Sequence, residues 1–236
     1  MSSLSASTKV SPPLPAHPLP ERRKFDYAPP TDPLKILYQD DDLLVVDKPA
    51  GLLSVPGREL PDSLQTRLKD QHPESLLVHR LDMATSGLMV FARNKAAQRH
   101  LGLQFERRHT VKSYLACVAG RVDGESGRIN LPLIADWPNR PRQMVSWEHG
   151  KPSLTDWEVM ERHETATRMA LHPITGRSHQ LRVHCWAIGH PILGDRIYAQ
   201  DEVFEAAPRL MLHAWKLGLR HPKGGTPVSF ESDCPF

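Results

Sequence analysis

From about residue 35 onward, apolar residues form short runs that polar turns separate. Ile36–Tyr38 and Leu43–Val46 are typical of two strands joined by an acidic turn. The continuous apolar run Gly87–Ala92 indicates a strand that is buried on both faces. The same pattern predicts further strands at 112–119, 154–160, 167–172, 209–219 and 228–230.

Three helices are expected between these strands. The first follows a cap at Asp62 or Ser63, the second follows a cap at Asn94, and the third follows a cap at Ser178 and ends at Gly189. Strands and helices do not alternate regularly, which argues against a Rossmann fold. We therefore predict an α+β fold: a single domain built on a large mixed, mainly antiparallel sheet flanked by helices.

The segment before this domain has a different composition. Residues 1–33 are rich in serine and proline and can bury little surface, so we predict a flexible N-terminal arm there. The folded domain is expected to occupy residues 34–236. The basic patch of the arm, at residues 22–24, could contact RNA, although an inert tail is the simpler interpretation.

Composition excludes several classes of protein. Hydrophobic residues make up 39% of the chain, enough for a sizeable core. No run of 18 apolar residues is present, and the N-terminus lacks the apolar segment of a secretory signal. The cysteines Cys117, Cys185 and Cys234 form no C-x-x-C pair, which argues against a disulfide framework and a zinc ribbon. Reduced thiols in a cytoplasmic protein are expected.

Positive charge is unevenly distributed. The net charge is only +3, but the stretch 93–128 holds eight Lys and Arg against three acidic residues. Arg140 and Arg142 follow closely. Such clustering suits a nucleic-acid backbone, and it is equally compatible with a solvated helix face.

The segment that is richest in chemistry is HRLDMATSG at residues 79–87, directly before a buried strand. A polar loop held by a rigid strand is a common setting for catalysis. Asp82 is the natural candidate for a catalytic carboxylate. On chemistry alone, it could equally be half of a structural ion pair with Arg80.

Several segments share their order with one family. They are LVVDKPAG at 44–51, LSVPG at 53–57, HRLDMATSG at 79–87, KSY at 112–114, PITGRSHQLRVH at 173–184, GHPILGD at 189–195 and PRLMLHA at 208–214. Together they resemble the RluA family of pseudouridine synthases over residues 35 to about 230. Within it the chain is similar to members that have no S4 RNA-binding domain. Asp47 departs from the pattern, because many relatives carry asparagine there.

The resemblance implies an isomerase that acts on uridine in RNA. The reaction breaks a C–N glycosidic bond and joins uracil C5 to C1′ of the ribose, so no cofactor, redox group or metal is needed. Asp82 would be the nucleophile. The implied substrates are RNA stem-loops: uridine 32 in the tRNA anticodon loop and uridine 746 in 23S rRNA. The partner is therefore RNA, and a cytoplasmic monomer is expected.

Four substrate-binding residues follow from the same resemblance. Arg182 would orient Asp82, since a nearby cation favours a charged carboxylate. Tyr114 would pack against the target base, and Arg80 would fill the space that the flipped nucleotide leaves. Leu171 would support the other face of the base. On spacing alone, Arg182 would be a surface helix residue, Tyr114 ordinary core, and Leu171 as easily core as site.

Two other classes remain for comparison. A metal-dependent hydrolase is disfavoured, because His179 and His184 are five residues apart and would point about 140° from each other on a helix. No H-E-x-x-H motif or zinc quartet is present. A non-catalytic RNA-binding or ribosome-assembly protein fits the composition and charge, but it has no need of Asp82.

Overall fold

The structure is a computed structural model, and it describes residues 19–21 and 23–236. Its strands are β1 (Lys35–Gln39), β2 (Leu43–Lys48), β3 (Leu76–Leu77), β4 (Ser86–Ala92), β5 (Val111–Ala119), β6 (Ser126–Asn130), β7 (Leu133–Ala135), β8 (Gln143–Val145), β9 (Leu154–Arg162), β10 (Ala166–Pro173), β11 (Leu212–Arg220) and β12 (Pro227–Glu231). Its helices are α1 (Leu64–Gln71), α2 (Lys95–Glu106), α3 (Gln180–Ala187) and α4 (Asp201–Glu205), with a short 3₁₀ turn at Trp137–Asn139.

One large sheet organises the domain. Among the described residues, ten strands belong to it, and its main path runs in the order β1-β2-β4-β11-β5-β10-β9-β6. β3 pairs with β4, β12 pairs with β11, and β7 and β8 form a separate hairpin. β4 and β11 are parallel, whereas the other pairs in the sheet are antiparallel. The predicted α+β class and the large mixed sheet are therefore confirmed.

Alternating residues of the first strands pack against different helices. Val45 and Leu88 contribute to a core cluster with α2, whereas Val46 and Met89 contribute to another with α1. Because successive side chains of a strand point to opposite faces, the two helices cover the two faces of β2 and β4. This double coverage explains why the segments Leu43–Val46 and Gly87–Ala92 of these strands are apolar without interruption.

The junction between β4 and β11 brings two distant parts of the chain together. Gly87 pairs there with Ala214, at a backbone φ of +108°. A Cβ at Gly87 would lie 2.3 Å from the Ala214 carbonyl oxygen, so no larger side chain fits. The loop that precedes β4 thereby ends close to the centre of the sheet.

Several elements differ from the sequence prediction. Ser63, one of the two predicted caps, is the cap of α1, but α3 begins after His179 rather than after Ser178. β11 begins at Leu212, three residues later than predicted, because Arg209–Met211 belong to the preceding loop. The sequence did not predict β3, β6, β7, β8 or α4. These elements are short, and β6 carries mostly polar residues.

The predicted N-terminal arm is described only in part. Residues 1–18 and 22 lie outside the described residues. The remainder contacts the domain: Arg23 donates to the Arg196 carbonyl, and the Tyr27 hydroxyl donates to the Asp62 carbonyl at 2.8 Å. Flexibility of the arm stays a prediction, but its second half has defined neighbours.

Within the described residues, none of the helices combines the length and the apolar character that crossing a bilayer requires.

Candidate active site

Two buried side chains hold the loop that carries Asp82. The Ser54 hydroxyl donates to the Leu81 carbonyl at 2.6 Å and accepts from the Leu81 N–H at 3.1 Å. Lys48 is fully buried, and its ammonium donates to the Met83 carbonyl at 2.9 Å. Burial lowers the pKa of Lys48 to about 7, although the charge of Asp82 opposes this shift. The backbone on both sides of Asp82 is therefore fixed.

Arg182 binds two carboxylates from distant parts of the chain. Its Nε and Nη2 each donate to Asp195 at 2.7 Å, and its Nη1 donates to Asp82 Oδ2 at 3.3 Å. The Asp195 side chain is fully buried, whereas that of Asp82 is 28% exposed. Burial would raise the pKa of Asp195, but Arg182 and the N–H groups of Ile197 and Tyr198 hold it below its usual value. Asp195 thus orients the guanidinium, and Asp82 stays accessible.

His179 lies near the same oxygen of Asp82 that Arg182 contacts. Its Nε2 lies 3.9 Å from Asp82 Oδ2, and its Nδ1 shares a hydrogen bond of 2.7 Å with the Tyr198 hydroxyl. Burial, followed by the charge of Arg182, lowers the pKa of His179 to about 4, so the imidazole is neutral at neutral pH. Sequence reasoning considered His179 only as a metal ligand and missed this contact, although PITGRSHQLRVH contains it.

Two cavities meet at these residues. The larger has a volume of about 780 Å³, and the smaller has a volume of about 120 Å³. Asp82, His179 and Arg182 line both of them. The carboxylate therefore lies at the boundary between a narrow space and a wide one.

The smaller cavity has an aromatic and an aliphatic wall. Tyr114 and Leu212 both line it. Burial and the charge of Asp82 raise the pKa of Tyr114, which keeps the phenol neutral. Leu171 does not agree with its predicted placement: it is fully buried in a core cluster with Leu181 of α3 and lines neither cavity. Leu212, which sequence reasoning missed, occupies the wall instead.

Cationic side chains also line the smaller cavity. Arg80 is exposed, whereas Lys112 and Arg177 are half-buried. Burial, and then the charge of Arg108, lowers the pKa of Lys112. The Nε of Arg177 is buried and has no hydrogen-bond partner in the described residues. These groups suit an anionic ligand such as a phosphate.

The basic stretch 93–128 is spread over α2, β5 and β6, and two of its cations are paired with carboxylates. Arg93 and Arg128 form ion pairs with carboxylates at 2.6 and 2.5 Å. Lys112 is the one cation of the stretch that lines either cavity in the described part of the chain. Arg142, from the second basic cluster, lines the larger cavity.

The described residues contain one group with the spacing of metal ligands. Asp40, Asp42 and His221 offer ligand atoms within 4.8 Å of one another. Asp40 already accepts hydrogen bonds from His221 at 2.8 Å and from Tyr38 at 2.6 Å. These contacts tie the β1–β2 turn to the loop between β11 and β12, so the group has a structural explanation.

Comparisons with known proteins agree with this geometry. The family model described as RNA pseudouridylate synthase matches residues 42–187. The dual-specificity RNA pseudouridine synthase RluA of Vibrio vulnificus is 54% identical over 220 residues, which cover 90% of this chain and 88% of the relative. The RluA of Escherichia coli is 53% identical over 215 residues, with 89% of this chain and 98% of the relative covered.

Solved structures give the same result. Human RNA pseudouridylate synthase domain containing 1 superposes with a TM-score of 0.73 at 33% identity, covering 86% of this chain and 84% of that chain. Human RNA pseudouridylate synthase domain containing 4 gives a TM-score of 0.68 at 25% identity, covering 85% and 88%.

Proposed function

We propose that this chain, which belongs to the RNA pseudouridylate synthase family, isomerises uridine in RNA stem-loops with Asp82 as its nucleophile. The chain is an RNA pseudouridine synthase, an isomerase that modifies RNA.

The observation that carries the proposal is the position of the Asp82 carboxylate. It is partly exposed at the boundary of two cavities, and Arg182 holds it at 3.3 Å. An accessible carboxylate that a buried arginine orients can act as a nucleophile or a base without moving first. The reaction breaks the C–N glycosidic bond and then joins uracil C5 to C1′. Carrying it out in these two steps requires such a group beside the sugar and the base.

The neighbouring residues support distinct roles. Uracil would enter the smaller cavity, with one face against Tyr114 and the other near Leu212. Arg80, which is exposed and lines this cavity, would occupy the space left in the RNA stack. Arg182 would keep Asp82 aimed at the sugar, since its other two donors are fixed on Asp195.

The substrates we propose are two stem-loops. The relatives from Vibrio vulnificus and Escherichia coli are named as dual-specificity enzymes, and we extend this property to the present chain. The targets would be uridine 32 of the tRNA anticodon loop and uridine 746 of 23S rRNA. Loop nucleotides cost less to extrude than paired ones, which favours such sites. We further propose that the enzyme acts in the cytoplasm as a monomer.

The proposal can be tested by tritium release. Joining uracil C5 to C1′ displaces the hydrogen on C5, so RNA tritiated at uridine C5 releases tritium to water as pseudouridine forms. We expect release from both stem-loops with the wild-type enzyme and none with Asp82→Ala or Asp82→Asn. Filter binding should show that both variants keep their RNA affinity.

The outcomes separate the two candidate functions. Release that persists in both variants would exclude Asp82 as the nucleophile. Binding of RNA without release by the wild-type protein would favour the non-catalytic RNA-binding alternative. Release from one stem-loop alone would limit the enzyme to a single substrate.

A further inference from the structure

Residues 23–30 connect two sides of the larger cavity. On one side, Arg23 donates to the carbonyl oxygens of Arg196 and Ala199 at 2.9 and 3.0 Å. On the other side, the Tyr27 hydroxyl accepts from the Leu53 N–H at 3.1 Å. Arg196 and Leu53 both line this cavity, so the segment forms part of its wall.

Phe25 lies between these two anchors. Its side chain is 44% exposed, and it lines the cavity together with Asp82 and Arg182. The Arg196 guanidinium lies 5.2 Å from the centre of the Phe25 ring, and the Tyr27 ring lies at 6.2 Å. Single exposed aromatic residues are common on protein surfaces. Phe25 differs from them because it lines the same cavity as Asp82.

The size of the larger cavity indicates what could occupy it. Its volume of about 780 Å³ exceeds that of the smaller cavity, about 120 Å³, which receives the target base in the proposed function. Space therefore remains beside Asp82 for a neighbouring nucleotide of the same loop.

The charge of this wall is also suitable. Arg142 and Arg196 line the cavity and donate to the backbone carbonyls of Pro20 and Lys24 rather than to carboxylates. Their positive charge is therefore not neutralised by these contacts, and an RNA backbone could use it. An aromatic face beside unneutralised cations is the arrangement that single-stranded nucleic acid requires.

We infer that Phe25 is a stacking surface for a nucleobase adjacent to the target uridine in the RNA loop, and that residues 23–30 hold it there. The inference rests on the proposed function, because it assumes that the target uridine enters the smaller cavity. It adds a second base-binding position, which stems from the segment before the catalytic domain.

The test compares Phe25→Ala, Phe25→Leu and Phe25→Trp in the full chain, with tritium release from the anticodon stem-loop as the assay. Loss of stacking should raise KM by about fivefold or more in Phe25→Ala, with kcat little changed. Phe25→Leu should behave like Phe25→Ala, since it is apolar but has no aromatic face. Phe25→Trp should keep a KM near that of the wild type.

A second readout needs no turnover. 2-Aminopurine placed beside the target uridine loses fluorescence when it stacks. We expect quenching on binding to the Asp82→Asn protein and clearly weaker quenching when Phe25→Ala is added. Tyr38→Ala is the matched control, because Tyr38 is 39% exposed and lines neither cavity. It should leave both KM and quenching unchanged.

Each result decides the question. An unchanged KM in Phe25→Ala, a KM in Phe25→Leu equal to the wild type, or a lowered KM in Phe25→Ala would each overturn the inference. The last result would mean that the segment obstructs the cavity. Failure of the proposed function is recognised separately, because the wild-type enzyme would then release no tritium.

Discussion

Replacing Arg182 by lysine tests whether the arrangement of the two carboxylates depends on a guanidinium fork. Arg182 reaches both oxygens of Asp195 at 2.7 Å and Asp82 at 3.3 Å. A lysine ammonium keeps the charge, but it is a single compact group that cannot span both carboxylates in this way. Because Asp195 is fully buried, the ammonium should stay with it and leave Asp82 unsupported.

The size of the effect follows from the contacts that are lost. A hydrogen bond to a charged group contributes about 1.5–3 kcal/mol. Loss of the Arg182–Asp82 contact should therefore lower kcat by roughly 10- to 150-fold. Loss of one bond to Asp195 should lower the free energy of unfolding by about 1.5–3 kcal/mol. RNA affinity should be unchanged, since neither contact involves the substrate.

The assay combines single-turnover tritium release, filter binding and urea unfolding. Arg128→Lys is the matched control: its partner Asp156 lies at 2.5 Å, but the Arg128 side chain is 62% exposed. Such surface pairs contribute about 0–1 kcal/mol, so activity and stability should stay near the wild type. A wild-type kcat in Arg182→Lys would refute the argument that Asp82 depends on the fork.

Two further predictions concern RNA binding and pH. Lys112→Gln should weaken RNA binding and reduce the slope of log affinity against log salt by about one. Lys216→Gln, whose side chain lines neither cavity, should leave that slope unchanged, and equal slopes for the two variants would exclude Lys112 from phosphate contact. Burial is the main reason why three histidines have a pKa below the usual 6.5. The pKa falls to about 3 for His79 and to about 4 for His179 and His184. The unfolded chain therefore binds protons that the folded chain does not, and stability is lost as pH falls from 6.5 toward 4; equal urea midpoints at about pH 7.5 and about pH 5 would contradict this sign.

The apolar runs Leu43–Val46 and Gly87–Ala92 are among the strands that the sequence predicted well. β2 and β4 are covered on both faces, so nearly every position must be apolar and the pattern is unambiguous. β6 lies at the sheet edge and is largely polar, while β7 and β8 have three residues each. Such elements are defined by their pairing partners, which a local pattern does not reveal.

The site was predictable where its residues lie in linear motifs. Asp82, Arg80, Tyr114 and Arg182 all line the smaller cavity. The spacing of 100 residues between Asp82 and Arg182 contains no information about their contact, and the family resemblance alone suggested it.

Leu171 shows the limit of that approach. It and Leu212 are both apolar residues of buried strands, so a sequence pattern cannot tell them apart. Only the packing of α3 over Leu171 decides which of the two reaches the cavity.

The position of β11 has a consequence for biosynthesis. It lies between β4 and β5 in space but comes from residues 212–220, long after both in the chain. A nascent polypeptide that ends before Leu212 leaves two inner strand edges with unpaired backbone groups, and such edges attract other strands. The ribosome must therefore deliver the chain through Arg220 before the middle of the sheet can close, and until then β4 and β5 each keep an open edge.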